Sequence, residues 1–252
     1  MEPTDPHSNS NPTEIVVTHL RWQALVDFEN KVLHCTARWD LMQLQSTGSL
    51  MLDTKDLRVK RVLVDGKKAD FTLGKRDPIL GSALKIDIQP GTQSIEIEYE
   101  TTPGAEALQW LEADQTAGKQ LPFLFSQSQA ILARSWIPCQ DTPGVRFTYD
   151  ARVKVPGGML ALMSAGNPTE VNESAVYSFE MNQPIPSYLM ALCVGDITFR
   201  PISQRCGIYS EPALIDAACH EFADLEQMVL IAESLYGPYL WERYDLIVLP
   251  PS

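Results

Sequence analysis

Residues 147–155, FTYDARVKV, place Phe147, Tyr149, Ala151, Val153 and Val155 on one face and Arg152 and Lys154 on the other. A period of two is the pattern of a strand with one dry face and one wet face. The same alternation appears in residues 94–99, SIEIEY, where Ile95, Ile97 and Tyr99 interleave with Glu96 and Glu98. It appears again from Val32 to Leu44. There Leu33, Cys35, Ala37, Trp39 and Leu41 share one face, opposite His34, Thr36, Arg38 and Asp40. Asp65-Gly66 is a tight hairpin signal between residues 58–64 and 69–73, and Pro90-Gly91 marks a turn between residues 83–88 and 94–99. Further strands are expected at residues 159–164, 175–181 and 188–194. Closely spaced turns with hardly a helical period among them, from Val32 to about Pro201, predict a mainly β domain built from several sheets.

Composition narrows the function classes. The 252 residues carry 32 acidic and 20 basic side chains, a net charge of −12, which disfavours binding to a phosphate backbone. No apolar run is long enough to span a bilayer. Residues 1–13 are rich in Pro, Ser and Asn and lack the apolar segment of a secretory signal, so they are expected to form a flexible arm. The five cysteines are scattered without a C-x-x-C pair, which predicts reduced thiols and a cytoplasmic location. Cys139 is expected to pack rather than to act as a nucleophile.

The pattern changes near Tyr209. Ser210 is a suitable N-cap, Pro212 suits a first turn, and Glu211 and Asp216 complement the positive end of a helix. Leu214, Ala218, Phe222, Leu225, Val229, Ala232 and Leu235 then recur at helical spacing, which predicts one helix from Pro212 to Leu235 ended by Gly237-Pro238. A strand over Tyr244–Leu249 follows, and the chain stops at Ser252. Residues 204–252 are therefore expected to open a second, α/β domain cut off soon after its start. That helix needs a partner along its apolar stripe, and an absent domain is its expected supplier.

His220-Glu221-Phe222-Ala223-Asp224 invites comparison with the zinc motif H-E-x-x-H, in which two histidines one turn apart aim at one ion. Here the second ligand position is Asp224 and a third would fall at Arg243, with Glu242 out of register by one residue. No metal site is expected in this segment.

The most specific stretch is residues 123–149, FLFSQSQAILARSWIPCQDTPGVRFTY. It contains Ser126-Gln127-Ser128-Gln129, then Arg134, then Pro138-Cys139-Gln140-Asp141-Thr142-Pro143. It resembles the N-terminal domain of the zinc metallo-aminopeptidases of the gluzincin clan, in the branch containing leukotriene A hydrolase and aminopeptidase B. Residues 186–195, PSYLMALCVG, are similar to the last strand of that β domain. Residues 237–241 and 244–252 are similar to the segment that precedes the family's exopeptidase motif.

The resemblance implies a saddle-like β domain over residues 14–203, followed by the opening helix and strand of a thermolysin-like catalytic domain. The zinc ligands of that family and its G-x-M-E-N motif do not occur in these residues, so zinc is implied for the parent protein and not for this chain. The parent is expected to remove N-terminal residues from peptides, with epoxide hydrolase activity left open. Its partners are a peptide with a free N-terminus and a catalytic domain in cis or in trans, and this chain alone is expected to be inactive. By the resemblance, Gln129 contacts the substrate's amino end and Gln127 lines the same pocket. Arg134 and Asp141 are expected to hold the loop, and Pro138 and Pro143 to shape it. The alternative is a non-enzymatic β module that binds peptides or a partner protein.

Overall fold

A computed structural model of the chain describes residues 5–45 and 48–250. The first part of the expected arm, residues 1–4, and the final Pro251-Ser252 lie outside the described residues.

The largest sheet has seven strands, in the order β13 (Val176–Ile185), β11 (Phe147–Lys154), β1 (Ile15–Asp27), β2 (Val32–Gln43), β8 (Ser94–Glu100), β4 (Arg58–Val64) and β5 (Lys67–Ala69). All its pairs are antiparallel except β1 with β11, which run parallel. A second sheet orders β12 (Leu160–Met163), β14 (Leu192–Gly195), β10 (Phe123–Ser126) and β9 (Leu108–Leu111). A third contains β3 (Ser49–Thr54), β7 (Ser82–Asp87) and β6 (Phe71–Leu73). The fourth contains β15 (Thr198–Pro201), β16 (Cys206–Ser210) and β17 (Tyr244–Ile247). The chain is thus mainly β with several sheets.

The alternating residues form one shared core. Leu33, Cys35, Ala37 and Trp39 of β2, Ile95, Ile97 and Tyr99 of β8, and Phe147, Tyr149, Ala151 and Val153 of β11 are all buried. Burying each large apolar side chain contributes about 1.5–3 kcal/mol before entropy is subtracted. Three tryptophans tie this core to the loop after β10. The Trp22 ring meets the Trp136 ring edge-on at 5.2 Å, and Trp39 meets Phe147 in the same way at 4.8 Å. Trp22 Nε1 donates to Tyr99 Oη (2.9 Å), Tyr99 Oη donates to the Trp136 carbonyl (2.8 Å), and Trp39 Nε1 donates to the Pro138 carbonyl (2.9 Å). Each buried polar tip therefore has a partner, as low-dielectric burial requires.

Asp65 and Gly66 both have positive φ, +47° and +77°, and close the two-residue turn between β4 and β5. The strand expected at residues 69–73 is split, because β5 stays in the large sheet while β6 joins β7 in another. β7 and β8 flank Pro90-Gly91 but likewise belong to different sheets.

Other expectations require correction. Residues 5–13, expected to be a flexible arm, lie against the domain: Asn9 N donates to Asp53 Oδ1 (2.7 Å) and Asn11 Nδ2 to the Ser49 carbonyl (2.8 Å). The single helix expected over Pro212–Leu235 is two helices, α1 (Ile215–Glu221) and α2 (Leu225–Tyr236). A straight helix of that span would be roughly 36 Å long, whereas a five-residue strand is only about 17 Å. The break at residues 222–224 lets each helix reach the short strand β16. Ile215 and Ala218 of α1 pack on Ile208, and Leu225 and Val229 of α2 pack on Cys206. Leu214, not Ser210, is the N-cap, and Glu211 turns away from the helix. Its carboxylate instead accepts the backbone N–H groups of Ala117 (2.9 Å) and Gly118 (3.0 Å). Gly237, with φ +93°, ends α2. β16 and β17, which precede and follow the two helices in the chain, pair in parallel, a β-α-β crossover. The boundary expected at residue 203 falls in the turn joining β15 to β16, two strands of one sheet.

Candidate functional site

β10 delivers the chain into a loop whose conformation is fixed by buried polar contacts. Ser128 is buried; its Oγ donates to the Met190 carbonyl (2.7 Å) and accepts from Trp136 Nε1 (3.1 Å). Its neighbours Gln127 and Gln129 are exposed. Gln127 N donates to the Ala107 carbonyl (2.8 Å), and Gln127 Oε1 accepts from Gln129 N (3.1 Å). Among the described residues the Gln129 side-chain amide has no hydrogen-bond partner in the protein. The peptide bond between Gln129 and Ala130 is cis.

Arg134 lies five residues further on in a short 3-10 turn and is fully buried. Its Nε donates to Asp141 Oδ2 (2.9 Å), its Nη1 to the Leu80 carbonyl (3.0 Å), and its Nη2 to the carbonyls of His7 (2.8 Å) and Asp141 (3.1 Å). Asp141 is equally buried and accepts from Ser187 Oγ (2.6 Å) through Oδ1. Pro138 is buried and Pro143 is exposed, beside the turn in which Val145 N donates to the Thr142 carbonyl (3.2 Å). The loop residues are therefore brought together around one buried ion pair, while the two glutamines stand on its outer edge.

Sequence reasoning missed two members of this cluster. Asp53, at the end of the apolar run of β3, is completely buried 3.6 Å from Arg134 Nη1. Burial pushes its carboxyl up from the usual range, against the opposing pull of Arg134 and of donors from Ser8, Asn9 and Asp141. A lone carboxylate closing an apolar strand is the signal that marks it. Gln140 is also fully buried; its Oε1 accepts from Val17 N (3.0 Å) and its Nε2 donates to the Ile15 carbonyl (2.8 Å). It satisfies the β1 backbone beside the bulge at Val17–His19. Cys139 exchanges two backbone hydrogen bonds with Asp53, and burial pushes its thiol well up, the state of a packed thiol rather than a nucleophile.

The residues that could imitate a zinc motif are not arranged as one. His220 and Asp224 are exposed, His220 in the last turn of α1 and Asp224 in the break, as the N-cap of α2. Among the described residues, no group of three or more His, Cys, Asp or Glu side chains is placed to hold a metal ion. Also among the described residues, no helix is long and apolar enough to cross a membrane.

The family model of the peptidase M1 N-terminal domain matches residues 16–189. The chain is 44% identical to a leukotriene A-4 hydrolase of Xenopus laevis, over 98% of its own length and 42% of that protein's. It is 40% identical to leucine aminopeptidase 2 of Yarrowia lipolytica, again over 98% of its length and 39% of the relative's. The chain thus spans about two fifths of the length of these relatives. Among solved structures, leukotriene A4 hydrolase from Saccharomyces cerevisiae superposes with a TM-score of 0.91 at 34% identity, covering 98% of this chain and 40% of that one. An M1 zinc metallopeptidase from Deinococcus radiodurans shares the fold, with a TM-score of 0.75 at 19% identity over 96% of this chain and 58% of its own. With its loop chemistry, its sheets and its relatives in agreement, the chain belongs to the M1 peptidase family, whose N-terminal domain it carries.

Proposed function

We propose that this chain is the N-terminal part of a cytoplasmic zinc-dependent aminopeptidase, and that it shapes the substrate entrance and grips the peptide's free amino end through Gln129. One observation carries the reading: burial of Ser128 turns its two neighbours outward, and the Gln129 amide is left uncommitted at the edge of a rigid loop. An amide oxygen can accept a hydrogen from an ammonium group, a charge-assisted bond that contributes about 1.5 kcal/mol, or roughly tenfold in affinity. Gln127, held by Gln129 N, would line the same edge. Bond cleavage is assigned to the remainder of the protein, so this chain with stoichiometric zinc is expected to hydrolyse no aminoacyl-nitroanilide. In the full-length enzyme, Gln129→Ala is expected to raise KM for such substrates about tenfold with little change in kcat. An unchanged KM sinks the assignment.

A second observation favours the partner in this reading. α2 exposes Met228 (57%), Ile231 (52%), Leu235 (68%) and Tyr236 (87%), an apolar face of the kind that marks an interaction surface. A catalytic domain in cis or in trans would cover it. The alternative, a stand-alone peptide-binding module, predicts a clean monomer in size-exclusion chromatography that binds peptide. Oligomers or aggregates would count against that alternative.

A further inference from the structure

A series of hydrogen bonds, carried on through one short turn, links the N-terminal segment to Ser128, the neighbour of Gln129. Ser8 Oγ and Asn9 N (2.7 Å) donate to the two oxygens of the buried Asp53, and the His7 carbonyl accepts from Arg134 Nη2 (2.8 Å). Asp53 Oδ2 also accepts from Asp141 N (3.1 Å), and Asp141 accepts from Arg134 Nε (2.9 Å) and from Ser187 Oγ (2.6 Å). Ser187 opens the short turn that ends at Met190, whose carbonyl accepts from Ser128 Oγ (2.7 Å). The segment is fastened at its other end as well: Asn11 Nδ2 donates to the Ser49 carbonyl (2.8 Å) and Met51 N donates to Asn11 Oδ1 (2.9 Å), so one amide side chain substitutes for a strand neighbour of β3.

We propose that residues 7–11 form a positioning strap for the Gln127–Gln129 edge, with Ser8 and Asp53 as positioning residues that act through Arg134, Asp141 and Ser187. The proposal rests on the Gln129 reading for its functional consequence, though not for its structural one. The strap gives the anion two donors and the cation one acceptor. Without it, charges that are completely buried lose partners, and groups in low dielectric then rearrange to recover them. A second negative charge at position 8 would face the buried Asp53 carboxylate across a partly buried contact and drive the strap off.

The test is hydrogen–deuterium exchange and steady-state kinetics on the full-length protein carrying Ser8→Asp, Ser8→Thr or Asn11→Ala. Ser8→Asp is expected to speed exchange at residues 128–141 and 187–190 tenfold or more. It is also expected to raise KM for an aminoacyl-nitroanilide at least threefold, with kcat within twofold. Ser8→Thr, which keeps the hydroxyl, should match the wild type. Asn11→Ala, which unfastens the strap without adding charge, should move the same peptides by a smaller factor. Unchanged exchange at residues 128–141 in Ser8→Asp overturns the strap. So does faster exchange with unchanged KM when Gln129→Ala does raise KM. Faster exchange with KM unmoved by both Ser8→Asp and Gln129→Ala supports the strap and overturns the Gln129 assignment.

Discussion

Replacing Arg134 by Met keeps the volume and the apolar stem but removes the guanidinium. Four hydrogen bonds disappear with its side chain: to Asp141 Oδ2, and to the carbonyls of Leu80, His7 and Asp141. Two carboxylates stay behind, Asp53 at 0% and Asp141 at 1% exposure, and among the described residues no other cation lies within salt-bridge distance of either. Breaking a buried pair by removing one partner costs about 3–5 kcal/mol, because the remaining charge stays desolvated. The upper part of that range applies, since one arginine serves two acids. In a domain of this size each kcal/mol shifts Tm by about 2–4 °C, so a loss of about 4–5 kcal/mol should make Arg134→Met melt roughly 8–20 °C lower. Equilibrium urea unfolding followed by tryptophan fluorescence reads the loss directly, with Trp136 packed two residues from the site. Adding Asp141→Asn should recover part of the loss, about 0.5–3 kcal/mol below the sum of the single changes. A loss under about 1 kcal/mol, or strict additivity, refutes the claim that this pair holds the loop.

Gln140→Ala leaves Val17 N and the Ile15 carbonyl without their partner and should cost about 2–4 kcal/mol in urea unfolding. Gln140→Glu should not restore the loss, since a carboxylate cannot donate to that carbonyl. Gly195→Ala would place a Cβ 2.2 Å from Phe123 Cδ2 and should cost about 1–3 kcal/mol, recovered in part by Phe123→Leu. Glu233 accepts both Arg205 Nη1 and Nη2 (2.8 and 2.7 Å) and Tyr239 N, and Arg205 first, then that N–H, holds its carboxyl down at about 2. A depressed carboxyl stabilises the fold above its unfolded pKa and loses that contribution as pH falls through the folded value. The Tm advantage of wild type over Glu233→Gln should therefore be full above about pH 5 and gone near pH 2, and an advantage independent of pH would refute the pairing.

The sequence pattern carried most of the strands and little of their arrangement. β2, β8 and β11 were legible because each keeps one dry face without interruption. β1 was not, although it is the longest strand and sits beside β2 and β11 in the large sheet. A bulge between Val17 and His19 shifts its register, so Ile15 and Val17 fall out of phase with Leu20, Trp22 and Ala24. The apolar stripe of residues 214–235 was equally misleading in the other direction. Its spacing continues smoothly through Phe222, whereas the chain breaks there and packs the two helices on different residues of β16. In the candidate site, Gln127, Gln129, Arg134 and Asp141 came from a local motif. Asp53 and Gln140 find their partners 44 to 125 residues away, and no local pattern contains that information.

The central claim is that Gln129 recognises the free amino end of a peptide. Isothermal titration of the full-length protein with a tripeptide and with its des-amino analogue, in wild type and Gln129→Ala, tests it most directly. Gln129→Ala is expected to weaken the free-amine peptide about tenfold and to leave the analogue unchanged. Equal weakening of both ligands, or of neither, contradicts it.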